Sequence, residues 1–250
     1  MTLIRNYITL LGLLVSLTSF SQTTALRKID NELTGIFHTM VNADYQLRFD
    51  SLAPAFKKQL FVNLVNPITF DNSLDSLTKY VTIKTAADGK IKFYSWDDLG
   101  GGTWRHINCI AQFKSDTGKI LVQPLNSENE VETGEFTDSE VYEVYEIDID
   151  KKTYYLTFSW GTHGSGHQHQ IIQIFTIIED RLTKCNSCIA NSNELVITYP
   201  RTEKANLVFN QKTSEISYDE FKIDQHSGFY KPTGQVITLK LVNGKFTTSR

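Results

Sequence analysis

The chain has 250 residues, of which 40% are hydrophobic, with 25 Lys and Arg against 28 Asp and Glu and a formal charge of −3 at pH 7. Weak acidity without a dense basic run argues against a nucleic-acid partner, because phosphate contacts demand clustered Lys and Arg. The length suits one large β domain or two small ones, and one domain with a helical preface is the expectation.

Residues 1–21 carry Arg5, an apolar run from Ile8 to Val15, and then small polar residues. That order predicts a cleaved signal peptide, with Ser19 and Ser21 at the positions a signal peptidase reads and cleavage before Gln22. The run is too short to cross a bilayer, no cysteine offers a lipid-attachment site, and no later stretch is apolar enough for a membrane span. A soluble protein of the periplasm or exterior is expected.

Residues 22–80 are expected to be helical and to pack on the β region that follows. Leu26, Ile29, Leu33, Ile36, Phe37 and Met40 form one helical stripe, predicting a helix from about Thr24 to Val41. A second stripe, Leu52, Phe56, Leu60, Phe61 and Leu64, follows Asp50-Ser51 as a cap, holds Pro54 in its first turn and stops at Asn66-Pro67.

From Val81 to the end, alternation replaces helical spacing, and tight-turn signals such as Ala87-Asp88-Gly89, Asp116-Thr117-Gly118 and Asn243-Gly244 divide the strands. An internal repeat runs through this region. Tyr94-Ser95-Trp96 recurs as Phe158-Ser159-Trp160 at an offset of 64 residues, and at that offset Gly100 matches Gly164, Gly102 matches Gly166, and Ile107 matches Ile171. Copies span about 81–125 and 141–188, with a weaker third over 207–248 whose aromatic is Tyr218. The fold class is therefore mainly β with an N-terminal helical segment (α+β), built from antiparallel four-strand meanders. Propeller-like sheets side by side, or one bent sheet around the helices, are the two packings, although three blades are fewer than a closed ring normally uses. Ile107, Cys109, Ala111 and Phe113, matched by Ile171, Gln173, Phe175 and Ile177, mark the expected inner face. The acidic stretch Asn126–Ser139 reads as a solvated connection between copies.

Two loops carry candidate chemistry. The first contains Trp96, Asp97, Asp98, Trp104 and His106, and the second follows Trp160. Aromatic faces beside hydrogen-bonding groups could stack on a sugar ring or a peptide side chain, whereas a Trp kept in both copies is better explained as packing between sheets. The second loop concentrates His163, His167 and His169. Two histidines spaced by one residue on a strand share a face, and a third returning from the loop would complete a Zn²⁺ or Cu²⁺ site with an open position, although drift in an exposed loop explains the cluster equally well. Cys185 and Cys188 are positioned for a local disulfide, leaving Cys109 as the odd cysteine. No acid, base and nucleophile set can be assembled, so no catalytic residue is assigned and no cofactor is expected. The favoured function is non-catalytic binding of a glycan, peptide or envelope partner through the glycine-rich loops. A metal-dependent enzyme at the histidines and an inhibitor of a secreted or wall hydrolase are the alternatives.

Overall fold

The computed structural model describes residues 2–125, 138–164 and 166–248, with side chains from residue 22 onward except at His163. Most of the acidic connection, residues 126–137, therefore lies outside the described residues, as do the side chains of the expected signal segment. The chain divides into two compact units, Met1–Tyr80 and Val81–Arg250.

In the first unit α1 (Thr2–Asn42) is continuous through the expected signal segment. Its end is capped by the Arg48 guanidinium, which donates to the carbonyls of Met40 at 3.0 Å and Ala43 at 2.8 Å, groups a helix end leaves unbonded. The second helix departs from the expected cap at Asp50-Ser51. Asp44 caps α2 (Tyr45–Leu47), a π-helical turn (Arg48–Leu52) follows, and α3 (Ala53–Leu64) continues directly. Pro54 gives the physical reason: it has no N–H, and its ring would press on the carbonyl four residues back, so the wider π turn accommodates it. Asn66 then accepts from the Ile68 amide at 3.1 Å and starts α4 (Pro67–Asp71). Leu33, Phe37, Met40, Phe56, Leu60 and Leu64 are buried. Asp30, only 8% exposed, accepts amide hydrogens from Ser76 at 2.8 Å and Leu77 at 2.9 Å, which holds the short 3-10 turn Leu77–Lys79.

The second unit is built of three antiparallel sheets. Sheet 1 runs β1 (Thr82–Thr85), β2 (Ile91–Asp97), β3 (Ile107–Lys114) and β4 (Ile120–Pro124) in meander order. Sheet 2 runs β5 (Glu140–Ile149), β6 (Lys152–His163), β7 (His167–Ile178) and β8 (Arg181–Lys184), with β9 (Glu194–Pro200) pairing the other half of the β7 edge. Sheet 3 repeats the meander with β10 (Val208–Asn210), β11 (Glu215–Ile223), β12 (Tyr230–Val242) and β13 (Lys245–Thr248). Local turn chemistry fixes several registers. Asp150 and Lys151 both take positive φ (50° and 66°), as do Asn243 and Gly244 (49° and 76°), the pair of left-handed residues a two-residue hairpin requires.

These sheets do not close into a propeller or barrel among the described residues; they stack. Successive strand residues face opposite ways, and sheet 2 buries both sets. Leu156, Phe158, Ile172 and Ile174 join Phe209, Ile216, Leu239 and Phe246 of sheet 3 in one core. Tyr155, Phe175 and Ile177 join Ile91, Phe93, Ala111 and Phe113 of sheet 1 in another. A strand buried on both faces has no alternation to read, which is why the second half of β7, Ile171 to Ile178, is apolar on both faces apart from Gln173 and Thr176. The expected inner face of β3 is buried, and so are Ile110 and Gln112 on its other face. The uniform offset of 64 also fails in the pairing: Ser95 lies opposite Cys109, 14 residues on, while Ser159 lies opposite Ile171, 12 residues on. A slip of two preserves the face, because the strand period is two.

Candidate functional site

The turns β2–β3 and β6–β7 and the end of β9 gather at one end of the stack, so the two glycine-rich loops become neighbours. The Arg105 amide donates to Thr162 Oγ1 at 2.9 Å, and its guanidinium lies 5.6 Å from the centre of the Trp160 ring. Arg201 reaches across from β9: its amide donates to the Gly166 carbonyl at 2.9 Å, its Nε to the His167 carbonyl at 3.3 Å, and its Nη2 to the Thr103 carbonyl.

Asp97 and Asp98 are structural members of the first loop. Asp97 Oδ1 accepts from the Leu99 amide at 2.8 Å, and Asp98 Oδ1 accepts from the Gly100 amide at 3.0 Å. Each also faces a basic side chain of the same loop, the Arg105 guanidinium at 3.6 Å from Asp97 and the His106 imidazole at 3.9 Å from Asp98. Burial pushes the Asp98 carboxyl up, partly offset by the Gly100 amide and by His106. Gly101 is required because a Cβ there would lie 1.6 Å from the Trp104 carbonyl oxygen. The loop thus holds Trp104 and His106 outward, Trp104 being 44% exposed.

The two tryptophans diverge. Trp96 is 2% exposed and presents no ring face to solvent. Trp160 is half-buried and walls an open depression of about 290 Å³, which Glu140, Tyr142 and Gln170 complete. Pairing explains the grouping: Glu140 lies opposite Trp160, and Trp160 opposite Gln170, so the three form one row across β5, β6 and β7. A register shift between Val141 and Glu143 then turns Tyr142 onto the same face, its ring 6.4 Å from Phe158. The Trp160 indole N–H donates to Gln168 Oε1 at 3.1 Å, and Glu140 Oε1 accepts from the Thr82 hydroxyl at 2.6 Å. Tyr142 Oη and Gln170 Oε1 are buried without a hydrogen-bond partner. Burial pushes the Tyr142 phenol up and, behind it, the Tyr199 phenol up to about 12, so both are donors at neutral pH.

The histidines enter separate surroundings. His169, 1% exposed, lies beside Gly161, where a Cβ would come within 2.5 Å of its Nε2 and 2.2 Å of the Asp138 carbonyl oxygen. His167 packs instead on the rings of Phe229 and Tyr230, at 5.6 and 5.4 Å, and its Nε2 is buried without a partner. No group of three His, Cys, Asp or Glu side chains able to hold a metal occurs among the described residues, and the side chain of His163 lies outside them.

Cys185 and Cys188 are bonded, with their Cα atoms 5.7 Å apart. The segment they close sits on β13, where the Phe246 amide donates to the Cys188 carbonyl at 2.7 Å and the Ala190 amide donates to the Phe246 carbonyl at 2.8 Å. Cys109 takes no part in that bond and is buried in the core of sheets 1 and 2. Glu140, Tyr142 and Gln170 were not singled out by sequence, since only strand pairing across β5 to β7 makes them neighbours of Trp160. Among the described residues, no helix is long and apolar enough to cross a membrane. No family model, curated protein or solved structure matches this chain.

Proposed function

We propose that this chain is an exported, non-catalytic binding protein that takes a carbohydrate in the depression beside Trp160. The observation that carries this reading is a depression lined by Trp160 together with Tyr142 and Gln170, two residues whose Oη and Oε1 are buried without a protein partner. A sugar offers a face of C–H groups to stack on an indole and hydroxyls that both donate and accept. Gln170 Oε1 and the Glu140 carboxylate would accept from such hydroxyls, while Tyr142 would donate. An unmet buried polar group costs about 1–3 kcal/mol, so a ligand hydroxyl that meets it contributes to affinity. Export rests on the signal-like order of residues 1–21 and is favoured by the Cys185–Cys188 disulfide, a bond that persists in oxidising compartments.

The test is a screen of the full chain against immobilised glycans, followed by calorimetry with the best soluble oligosaccharide. Trp160→Ala is expected to weaken binding about tenfold or more, and Tyr142→Phe by roughly threefold to tenfold. Binding that survives Trp160→Ala unchanged, or no saccharide bound at millimolar concentration, would sink the assignment.

A further inference from the structure

We propose that the saccharide taken beside Trp160 carries a free, protonated amine, which the Glu140 carboxylate receives; this rests on the carbohydrate reading and narrows it to an amino sugar. Glu140 lines the depression with Trp160, Tyr142 and Gln170 and is half-buried there. Strand pairing fixes its place, because Glu140 stands directly opposite Trp160 across β5 and β6. Its Oε1 accepts from the Thr82 hydroxyl at 2.6 Å, a bond that satisfies a lone pair without neutralising the charge. Among the described residues Glu140 forms no ion pair.

The protein's own groups do not supply the missing cation. The Arg105 guanidinium lies 5.6 Å from the centre of the Trp160 ring, but it pairs with Asp97 at 3.6 Å and does not line the depression. A second carboxylate strengthens the negative field. Burial is the main reason the Tyr142 phenol is raised, and the Glu143 carboxylate adds to that rise. An acidic or sulfated sugar would meet like charge at such a place, whereas a cationic one meets its opposite.

The cost of covering Glu140 decides between a neutral and a cationic sugar. A ligand settling against Trp160 takes water from the carboxylate, and a charge that loses water without gaining a counter-charge weakens the complex. A neutral hydroxyl returns one hydrogen bond. An ammonium group returns a hydrogen bond together with the opposite charge, which is the stronger contact. The rings act in the same direction, because indole and phenol carry negative π faces that attract a cation within about 6 Å of the ring centre. One carboxylate beside a Trp and a Tyr in a single depression is thus a surrounding suited to an ammonium group.

The experiment uses the full chain and two glucosamine-containing oligosaccharides of the same sugars, one bearing a single free amine and the other that amine acetylated. A single amine keeps a polycation's general attraction to an acidic protein out of the comparison. Calorimetry at about 0.15 M salt, where distant charges are largely screened, measures both. Expected is binding of the free amine about fivefold to tenfold tighter than of the acetylated form. Glu140→Gln, whose amide oxygen can still accept from Thr82, is expected to melt like the native chain and to bring that ratio close to one. Equal or tighter binding of the acetylated form overturns the cationic preference and leaves the carbohydrate reading standing. A preference that survives Glu140→Gln overturns the assignment of the amine to Glu140. If neither form binds while a neutral saccharide from the glycan screen does, the amino sugar is overturned alone; if no saccharide binds, both readings fall together.

Discussion

The ends of β2 and β6 share a Ser-Trp pair, yet sheet 1 consumes its tryptophan and sheet 2 displays one. Both rings stand on the face of their sheet turned away from the core that sheets 1 and 2 share, since Phe93 and Tyr155 mark the inward set. Trp96 is buried there, whereas Trp160 meets a cross-strand glutamate and glutamine and walls a depression. Neighbours decide the outcome. β1 begins its pairing at Thr82 opposite Ser95 and places no residue opposite Trp96, while β5 reaches one position further and puts Glu140 opposite Trp160. A one-residue difference in where the edge strand starts therefore gives Trp160 a cross-strand carboxylate that Trp96 lacks on β1.

Alanine substitution at the two positions tests that division most severely. Trp96→Ala is expected to cost about 3–5 kcal/mol, as large-to-small changes in a packed core do. For a domain of this size that lowers the melting temperature by roughly 10 °C, at about 2–4 °C per kcal/mol. Trp160→Ala should cost less than about 2 kcal/mol, because part of its ring is already solvated. Thermal melts of the two variants side by side decide it; if they fall together, Trp160 is core and the depression is incidental.

The serines beside them sharpen the comparison at smaller scale. Ser95 Oγ donates to Cys109 Sγ at 3.3 Å and accepts from the Val141 amide at 3.1 Å, so it joins sheet 1 to the first strand of sheet 2. Among the described residues, Ser159 Oγ donates to the carbonyl of its own strand partner, Ile171, at 3.4 Å. Removing Ser95 strands a buried amide, at a cost of about 1–3 kcal/mol, while removing Ser159 should cost below about 1 kcal/mol. Urea denaturation of Ser95→Ala and Ser159→Ala measures the gap, and equal midpoints would mean that Val141 finds another acceptor.

Much of this end of the molecule was legible in the chain. The Ser-Trp tripeptides, the glycine loops and the hairpin turns each depend on neighbours a few residues away, and such local chemistry leaves a local mark. Gly161 is an instance: it admits His169 and the Asp138 carbonyl where no Cβ would fit. What escaped depends on pairing between distant segments. The row Glu140, Trp160, Gln170 needs the register of three strands, and Tyr142 joins it only through the shift after Val141. Stacking of the sheets escaped for a related reason, because alternation identifies one buried face and β7 buries two. His167 and His169 share a strand face by spacing, yet the hairpin carrying Phe229 and Tyr230 claims the first and Gly161 the second.

An effect confined to alkaline pH concerns Cys109, which stands opposite Ser95 where sheet 2 has Ile171 opposite Ser159. Burial pushes the Cys109 thiol up to about 12 from an ordinary 9.0, the Ser95 hydroxyl offsetting part of the rise. Above pH 9 the unfolded chain releases this proton while the folded chain keeps it, so the folded state binds more protons and stability falls as pH rises toward 12. The slope from one such group approaches about 1.4 kcal/mol per pH unit. Buried tyrosines, Tyr94 and Tyr155 among them, shift in the same direction, so the informative quantity is the difference between the native chain and Cys109→Ala. Below pH 9 the two should differ by a constant, and from pH 9 to 11 the native chain should lose stability faster. Parallel curves across that window would mean that solvent reaches the thiol, and that the core of sheets 1 and 2 is looser at Cys109 than at Ile171.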